Sequence, residues 1–201
     1  MADIREAANR VIDEGLAEFN RILSSEGWED LGQTEEVRRF KKQEGDRVFV
    51  KAVGVINFLP SDIADFIANL ENRHKFIHDL ESINILHDYP DVKVAYETLK
   101  LPWPVSNRDT VFAIKKLNQG EDIMVITKSI EVGHPAVHNY VRAEMVVIAY
   151  HLRNIEDVAT EVTYVGCADP KGHIPLLVIN ALAGSHCLGI SKIRKAMNQT
   201  S

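Results

Sequence analysis

Asp169-Pro170-Lys171-Gly172-His173-Ile174-Pro175 leads into an apolar run that ends at Met197, and the reading of this stretch decides the fold. Asp-Pro-Lys-Gly is turn chemistry: proline presets one dihedral and glycine relieves a strained one. Pro175 stands where a helix tolerates proline best, in its first turn. The sequence therefore predicts a helix from about Pro175 to Met197. Leu176, Leu177, Val178, Ile179, Ala181, Leu182 and Ala183 make it apolar around nearly its whole circumference. A helix of that kind belongs in a large core or in a membrane, and 201 residues leave little room for the first. A terminal helix that covers an apolar cavity and also meets lipid fits the pattern. Gly184 and Gly189 interrupt it, each costing roughly 1 kcal/mol of helix stability relative to alanine.

Upstream, the periodicity predicts what such a helix would cover. Ile4, Ala7, Ala8, Val11, Ile12, Leu16, Phe19, Ile22 and Leu23 recur at helical spacing, an amphipathic N-terminal helix. Strands are expected from Trp28 onward: Val37–Lys41, Arg47–Asn57, Ser82–His87, Val92–Leu101, Thr110–Leu117, Ile123–Ile130, Tyr140–His151 and Val158–Cys167. Short turns such as Glu44-Gly45-Asp46 join them, so neighbours should pair antiparallel. One helical insert, opened by Pro60-Ser61-Asp62, is expected to run to about His78. Arg47–Asn57 is apolar on both faces, with Val48, Val50, Ala52 and Ile56 on one and Phe49, Val53 and Val55 on the other. A sheet of such strands needs a cover on each side or must curve around something apolar. An ordinary two-layer core satisfies the same pattern.

Composition excludes several classes. No linker divides the chain, and residues 1–201 read as a single domain. A net charge of −6 argues against nucleic-acid binding, which needs a basic footprint. The two cysteines, Cys167 and Cys187, describe no disulfide framework. The charged segment Met1–Arg10 is unlike a signal peptide, and no apolar run reaches bilayer-spanning length. The expectation is a cytoplasmic monomer. Charge is uneven, however: Lys171, Lys192, Arg194 and Lys195 oppose only Asp169 after residue 168. A basic end on an apolar helix suits anionic lipid headgroups; the same residues also complement the helix dipole.

Catalytic motifs are missing: there is no Gly-x-Ser-x-Gly, no phosphate-binding glycine loop and no His-Glu-x-x-His. His74/His78 and His134/His138 have the four-residue spacing of a metal pair, yet neither has an evident third ligand, and no metal or cofactor is expected. Arg108 and Asp109 stand where a loop enters an apolar strand, and Arg142 and Glu144 lie two apart, hence on one face of a strand. If these charges point inward they must be paired or must bind something polar.

Three stretches resemble the START domains, the steroidogenic-acute-regulatory-related lipid-transfer family. Asp169–Ala196 resembles the family's last turn and C-terminal helix. Leu101-Pro102-Trp103-Pro104-Val105-Ser106-Asn107-Arg108-Asp109 resembles the Pro-x-Pro-x-Ser-Asn-Arg-Asp segment of its phosphatidylcholine-transfer-like branch, and Tyr140-Val141-Arg142-Ala143-Glu144 resembles its Val-Ile-Arg strand. The resemblance implies an α+β helix-grip fold: a curved antiparallel sheet wrapped around a long C-terminal helix, with an N-terminal helix. It also implies that Arg73 corresponds to the arginine that meets the lipid phosphate in phospholipid-binding relatives, although Phe76 and Ile77 replace the tryptophan and aspartate that follow it there. Arginine suits phosphate through its fixed fork of donors. The aromatic cage that relatives build around choline maps onto Glu97, Thr110 and Val146, none of them aromatic. Glu97, if it faces inward, suits a primary ammonium or a hydroxyl, and any rings would come from elsewhere, from Tyr96 or Tyr164.

The expected function is binding of one lipid, a phospholipid before a sterol, in an internal apolar cavity and its transfer between membranes, without covalent chemistry. Arg73, Glu97, Arg108 and Arg142 are the expected ligand contacts. Trp103, Leu182, Gly184 and Gly189 are the expected gate and transient membrane contact, because a tryptophan between prolines suits the interface. A ligand-sensing module, or a helix-grip cyclase or hydrolase acting on an apolar substrate, are the alternatives.

Overall fold

Asp3 starts the first helix, its carboxylate accepting from the Arg5 backbone N–H at 2.9 Å, an N-cap. In the computed structural model, which describes residues 3–103, 105–172, 174 and 188–199, helix α1 spans Ile4–Leu23. Ala8, Ile12, Phe19 and Ile22 of its apolar stripe are buried, and Ile4, Val11, Leu16 and Leu23 are partly so. Each large side chain buried this way contributes on the order of 1.5–3 kcal/mol.

The strands are β1 (Glu29–Thr34), β2 (Val37–Glu44), β3 (Arg47–Ile56), β4 (Leu80–Asp88), β5 (Lys93–Leu99), β6 (Asn107–Gln119), β7 (Asp122–Ser129), β8 (Tyr140–Arg142), β9 (Glu144–Glu156) and β10 (Ala159–Asp169). They form one sheet in the order β1-β2-β3-β10-β9-β7-β6-β5-β4. Its pairs are antiparallel, except that β8 lies parallel beside the start of β6. The expected single strand Tyr140–His151 is thus broken at Ala143, whose N–H is taken by the Asp109 carbonyl at 2.9 Å. Arg142 and Glu144 consequently belong to different strands and do not share a face: Arg142 pairs with Asp109, Glu144 with Lys171.

Both faces of the sheet are covered. On the outer face α1 packs on Phe49, Val94, Val111, Ala113, Ile126 and Val147. On the inner face Val50, Ala52, Phe112, Tyr150 and Tyr164 meet α2 (Pro60–Ala68) and the C-terminal helix α4 (Gly189–Asn198). This is the helix-grip arrangement. On the doubly apolar β3, Phe49 faces α1 and Val50, Ala52 and Ile56 face the grip, while Val55 is left exposed. Gly54 permits the close approach, since a Cβ there would lie 3.2 Å from Ile190 of α4 and 3.2 Å from Val37.

The insert after Pro60 is not one helix. Asn69 leaves helical geometry (φ −77°, ψ 105°), and its side chain accepts from the Glu71 N–H. A 3-10 turn (Leu70–Asn72) and the short helix α3 (Arg73–Phe76) follow. Asparagine does this because its side chain competes for nearby backbone donors. The result swings Arg73 toward the inner face of the sheet.

Candidate functional site

A cavity of about 280 Å³ lies between the inner face, α3 and the start of α4. Its walls are largely apolar, with Val50, Ile67, Phe76 and Met145 among them; Arg47, Asp79, Arg108 and Lys171 also line it, and one charged patch is a buried ion pair.

Arg73 and Glu97 make that patch. Glu97 is an inner-face residue of β5, directly opposite Thr110 in the β5–β6 ladder. Arg73 descends on it from the first position of α3. Arg73 Nε and Nη2 lie 3.0 and 2.9 Å from the same oxygen, Glu97 Oε2. The Thr110 hydroxyl donates to Oε1 at 3.4 Å, and the guanidinium carbon sits 4.8 Å from the Phe112 ring centroid. Arg73 is 5% exposed and Glu97 1%. An ion pair so far from water is held by its own geometry, and it presents to the cavity a dipole of zero net charge.

Arg108 also lines the cavity, and its donors go to backbone carbonyls. Nε donates to Pro170 O at 2.6 Å, Nη2 to Lys171 O at 3.0 Å, and Nη1 to Ser106 O at 2.5 Å. Burial pushes its pKa below the ordinary arginine value. Arg108 therefore ties the loop carrying Trp103 to the Asp169–Gly172 turn. That turn holds Lys171 at φ 51° and Gly172 at φ 70°, steadied by the Asp169 carboxylate on the Lys171 N–H.

Arg142 is placed on the other side of the sheet. It makes two bonds to Asp109, at 3.0 and 2.9 Å, which raise its pKa, and it also donates to Pro135 O. Tyr96 is on that side too, its hydroxyl on Asp109 at 3.2 Å. Val146 faces α1, because it is the extra residue of a bulge: Cys167 opposes Val147, and Ala168 opposes Met145. The bulge carbonyl accepts from Lys128 Nζ at 3.0 Å. Of the three positions aligned with the choline cage, Glu97 and Thr110 line the cavity and Val146 does not.

Tyr164 and Tyr150 do line it, their ring centroids 5.0 Å apart. The Tyr164 hydroxyl occupies the place where a side chain on Gly166 would stand, so glycine there is a steric requirement. Tyr150 escaped the sequence reading. The available signal was the alternation Ile148, Tyr150, Leu152 on one face of β9.

Of the expected gate, Trp103 is 93% exposed in the loop between β5 and β6. Gly189 is the first residue of α4, and its missing Cβ would stand 3.5 Å from the Tyr150 hydroxyl. Leu182 and Gly184 lie outside the described residues, as does most of the apolar run after Pro175. The basic end of α4 is engaged by protein: Arg194 Nη1 pairs with Glu36 at 3.0 Å and Lys195 with Glu35 at 2.9 Å.

The START domain sequence pattern matches residues 13–201. START domain-containing protein 10 of Mus musculus and of Homo sapiens are each 26% identical over 118 residues, 58% of this chain. That match spans 40% of the length of those relatives. Human StAR-related lipid transfer protein 5 superposes with a TM-score of 0.86 at 14% identity, covering 98% of this chain and 99% of that one. The crystal structure of human STARD10 superposes with a TM-score of 0.78 at 23% identity, covering 92% and 78%.

Proposed function

This chain belongs to the START domain family, and from that membership we propose that its cavity holds one lipid, which the protein carries between membranes. The observation that carries the reading is the Arg73–Glu97 ion pair, buried in the wall of a largely apolar cavity. Apolar walls take hydrocarbon, and a few fixed polar groups orient the polar end.

A zwitterionic phospholipid with a primary ammonium is the favoured cargo. Its phosphate replaces Glu97 on Arg73 and its ammonium meets Glu97, so a neutral dipole is exchanged for a neutral dipole. An anionic lipid would bring an uncompensated charge into a dry site, which is costly. A bulky quaternary ammonium lacks its aromatic enclosure at Thr110. Arg108 acts at the cavity rim by holding the Asp169–Gly172 turn, and Arg142 acts from the far face by holding β8 to β6. Nothing in this reading needs a cofactor or a covalent step.

Contact with the membrane is assigned to Trp103, whose exposed indole suits the headgroup region. No helix among the described residues is long and apolar enough to cross a membrane, so the contact proposed is peripheral. Vesicle-to-vesicle transfer of a fluorescent phosphatidylethanolamine tests the reading. Wild type should transfer it, and Trp103→Ala should transfer it several-fold more slowly with bound lipid retained. Equal rates would remove Trp103 from the mechanism, and no transfer by wild type would remove carriage itself.

A further inference from the structure

We propose that Tyr150 is a ligand-binding residue, donating a hydrogen bond to an uncharged oxygen of the lipid in the cavity. The proposal rests on the lipid-binding reading and adds the chemical group recognised beyond the Arg73–Glu97 pair.

Tyr150 lies on the inner face of β9, opposite Tyr164 in the β9–β10 ladder, and is 8% exposed. Its hydroxyl reaches the first turn of α4, beside the position a Gly189 side chain would take. The other buried or half-buried tyrosines of known partner have theirs within the protein: Tyr96 donates to Asp109, and Tyr140 donates to Glu81 at 2.5 Å. Among the described residues nothing accepts from or donates to the Tyr150 hydroxyl. The hydroxyl lines the cavity, and once a lipid fills that space and excludes water, leaving it unmatched costs about 1–3 kcal/mol.

The surroundings fix which partner it can take. Burial pushes the Tyr150 pKa up to about 12, with the Arg73 charge acting against that rise. The phenol therefore stays protonated and acts as a donor. The nearby Arg73 is already engaged, by Glu97 or by the lipid phosphate, so a further charged acceptor would lack a counter-ion and a neutral one would need none. Two lipid oxygens meet the requirement: an acyl ester carbonyl of a glycerolipid, or a sterol hydroxyl.

Competition binding with Tyr150→Phe separates these. Displacement of a fluorescent fatty-acyl probe would be measured with diester and diether phosphatidylethanolamine of equal chain length, and with cholesterol and its 3-deoxy counterpart. Wild type should prefer the oxygen-bearing member of one pair by about 3- to 10-fold, the worth of one neutral hydrogen bond. Tyr150→Phe should abolish that preference while leaving the weaker member's affinity unchanged. Loss within the diester/diether pair assigns the carbonyl, and loss within the sterol pair assigns the hydroxyl. Preferences that survive in Tyr150→Phe overturn the proposal. The melting temperature of the lipid-free variant is a second readout. It should equal or exceed that of wild type, and a clear drop would mean the hydroxyl already has a protein partner. A wild type that binds no lipid at all would instead overturn the lipid-binding reading beneath it.

Discussion

Arg73 and Glu97, 24 residues apart in sequence, meet so that two guanidinium nitrogens share one carboxylate oxygen, Oε2, and leave Oε1 to Thr110. Removing either partner strands the other charge in the wall of the cavity. Arg73→Ala or Glu97→Ala alone should therefore destabilise the fold by about 3–5 kcal/mol. The double replacement Arg73→Met with Glu97→Leu should recover most of that loss, since an apolar pair of similar volume needs no charge compensation. Urea denaturation checks the stability. Lipid uptake by the double variant checks the function, because a stable protein that still prefers zwitterionic phospholipid would take the headgroup role away from this pair.

Arg108 should behave differently, because its partners are backbone carbonyls. Arg108→Met should lose about 1.5–3 kcal/mol, the scale of hydrogen bonds to a charged group. Arg108→Lys should not restore it, since one ammonium cannot span Ser106, Pro170 and Lys171 as a planar fork does. Amide exchange should rise at residues 169–172 more than in β3 or β9. Uniform exchange across the sheet would indicate global loss of stability and no specific hold on the turn.

The contrast between these arginines shows what the sequence could carry. The spacing of Ile4 through Leu23, the doubly apolar β3 and the turn chemistry at Asp169–Gly172 are local patterns, and each is realised by the fold. The Arg73–Glu97 contact is not local. It depends on Asn69 ending α2 and turning α3 over β5, a competition between side-chain and backbone acceptors that periodicity does not register. Likewise, the run Tyr140–His151 has no visible break, yet the parallel pairing of β8 and the bulge at Val146 reverse which side chains face inward. Arg142 and Val146 leave the cavity for that reason. The basic end of α4 could not be matched to Glu35 and Glu36 before the β1–β2 turn was placed beside it.

That turn yields a prediction of its own. Glu35 and Glu36 sit at φ 51° and 59°, where a residue with a side chain pays roughly 1–2 kcal/mol and where hairpins favour Asn-Gly. Their carboxylates bind Arg194 and Lys195, surface pairs contributing at most about 1 kcal/mol each. Glu35→Asn with Glu36→Gly should therefore raise the melting temperature while accelerating amide exchange in α4. A slower-exchanging α4 would show that the ion pairs do not hold the helix down.

Acid should loosen α1 first. Hydrogen bonds from Arg21 hold the Glu44 carboxyl at about 2 against an ordinary 4.5, and those from Asn9 and then Arg5 hold Asp91 at about 2 against 3.8. Both values are lowered on folding, so the stability they contribute is complete above the unfolded values and is lost as pH falls toward 2. Between pH 4.5 and 2, the melting temperature of Glu44→Gln with Asp91→Asn should decline less steeply than that of wild type. Parallel declines would assign the acid sensitivity to other carboxylates.

Native mass spectrometry of the protein re-isolated from mixed vesicles of phosphatidylethanolamine, phosphatidylcholine, phosphatidylserine and cholesterol tests the central claim most directly. The account predicts one lipid per chain, enriched in phosphatidylethanolamine over its share of the vesicles, with the enrichment lost in Arg73→Met with Glu97→Leu. Protein that emerges without lipid, or with a lipid profile matching the vesicle composition, would contradict it.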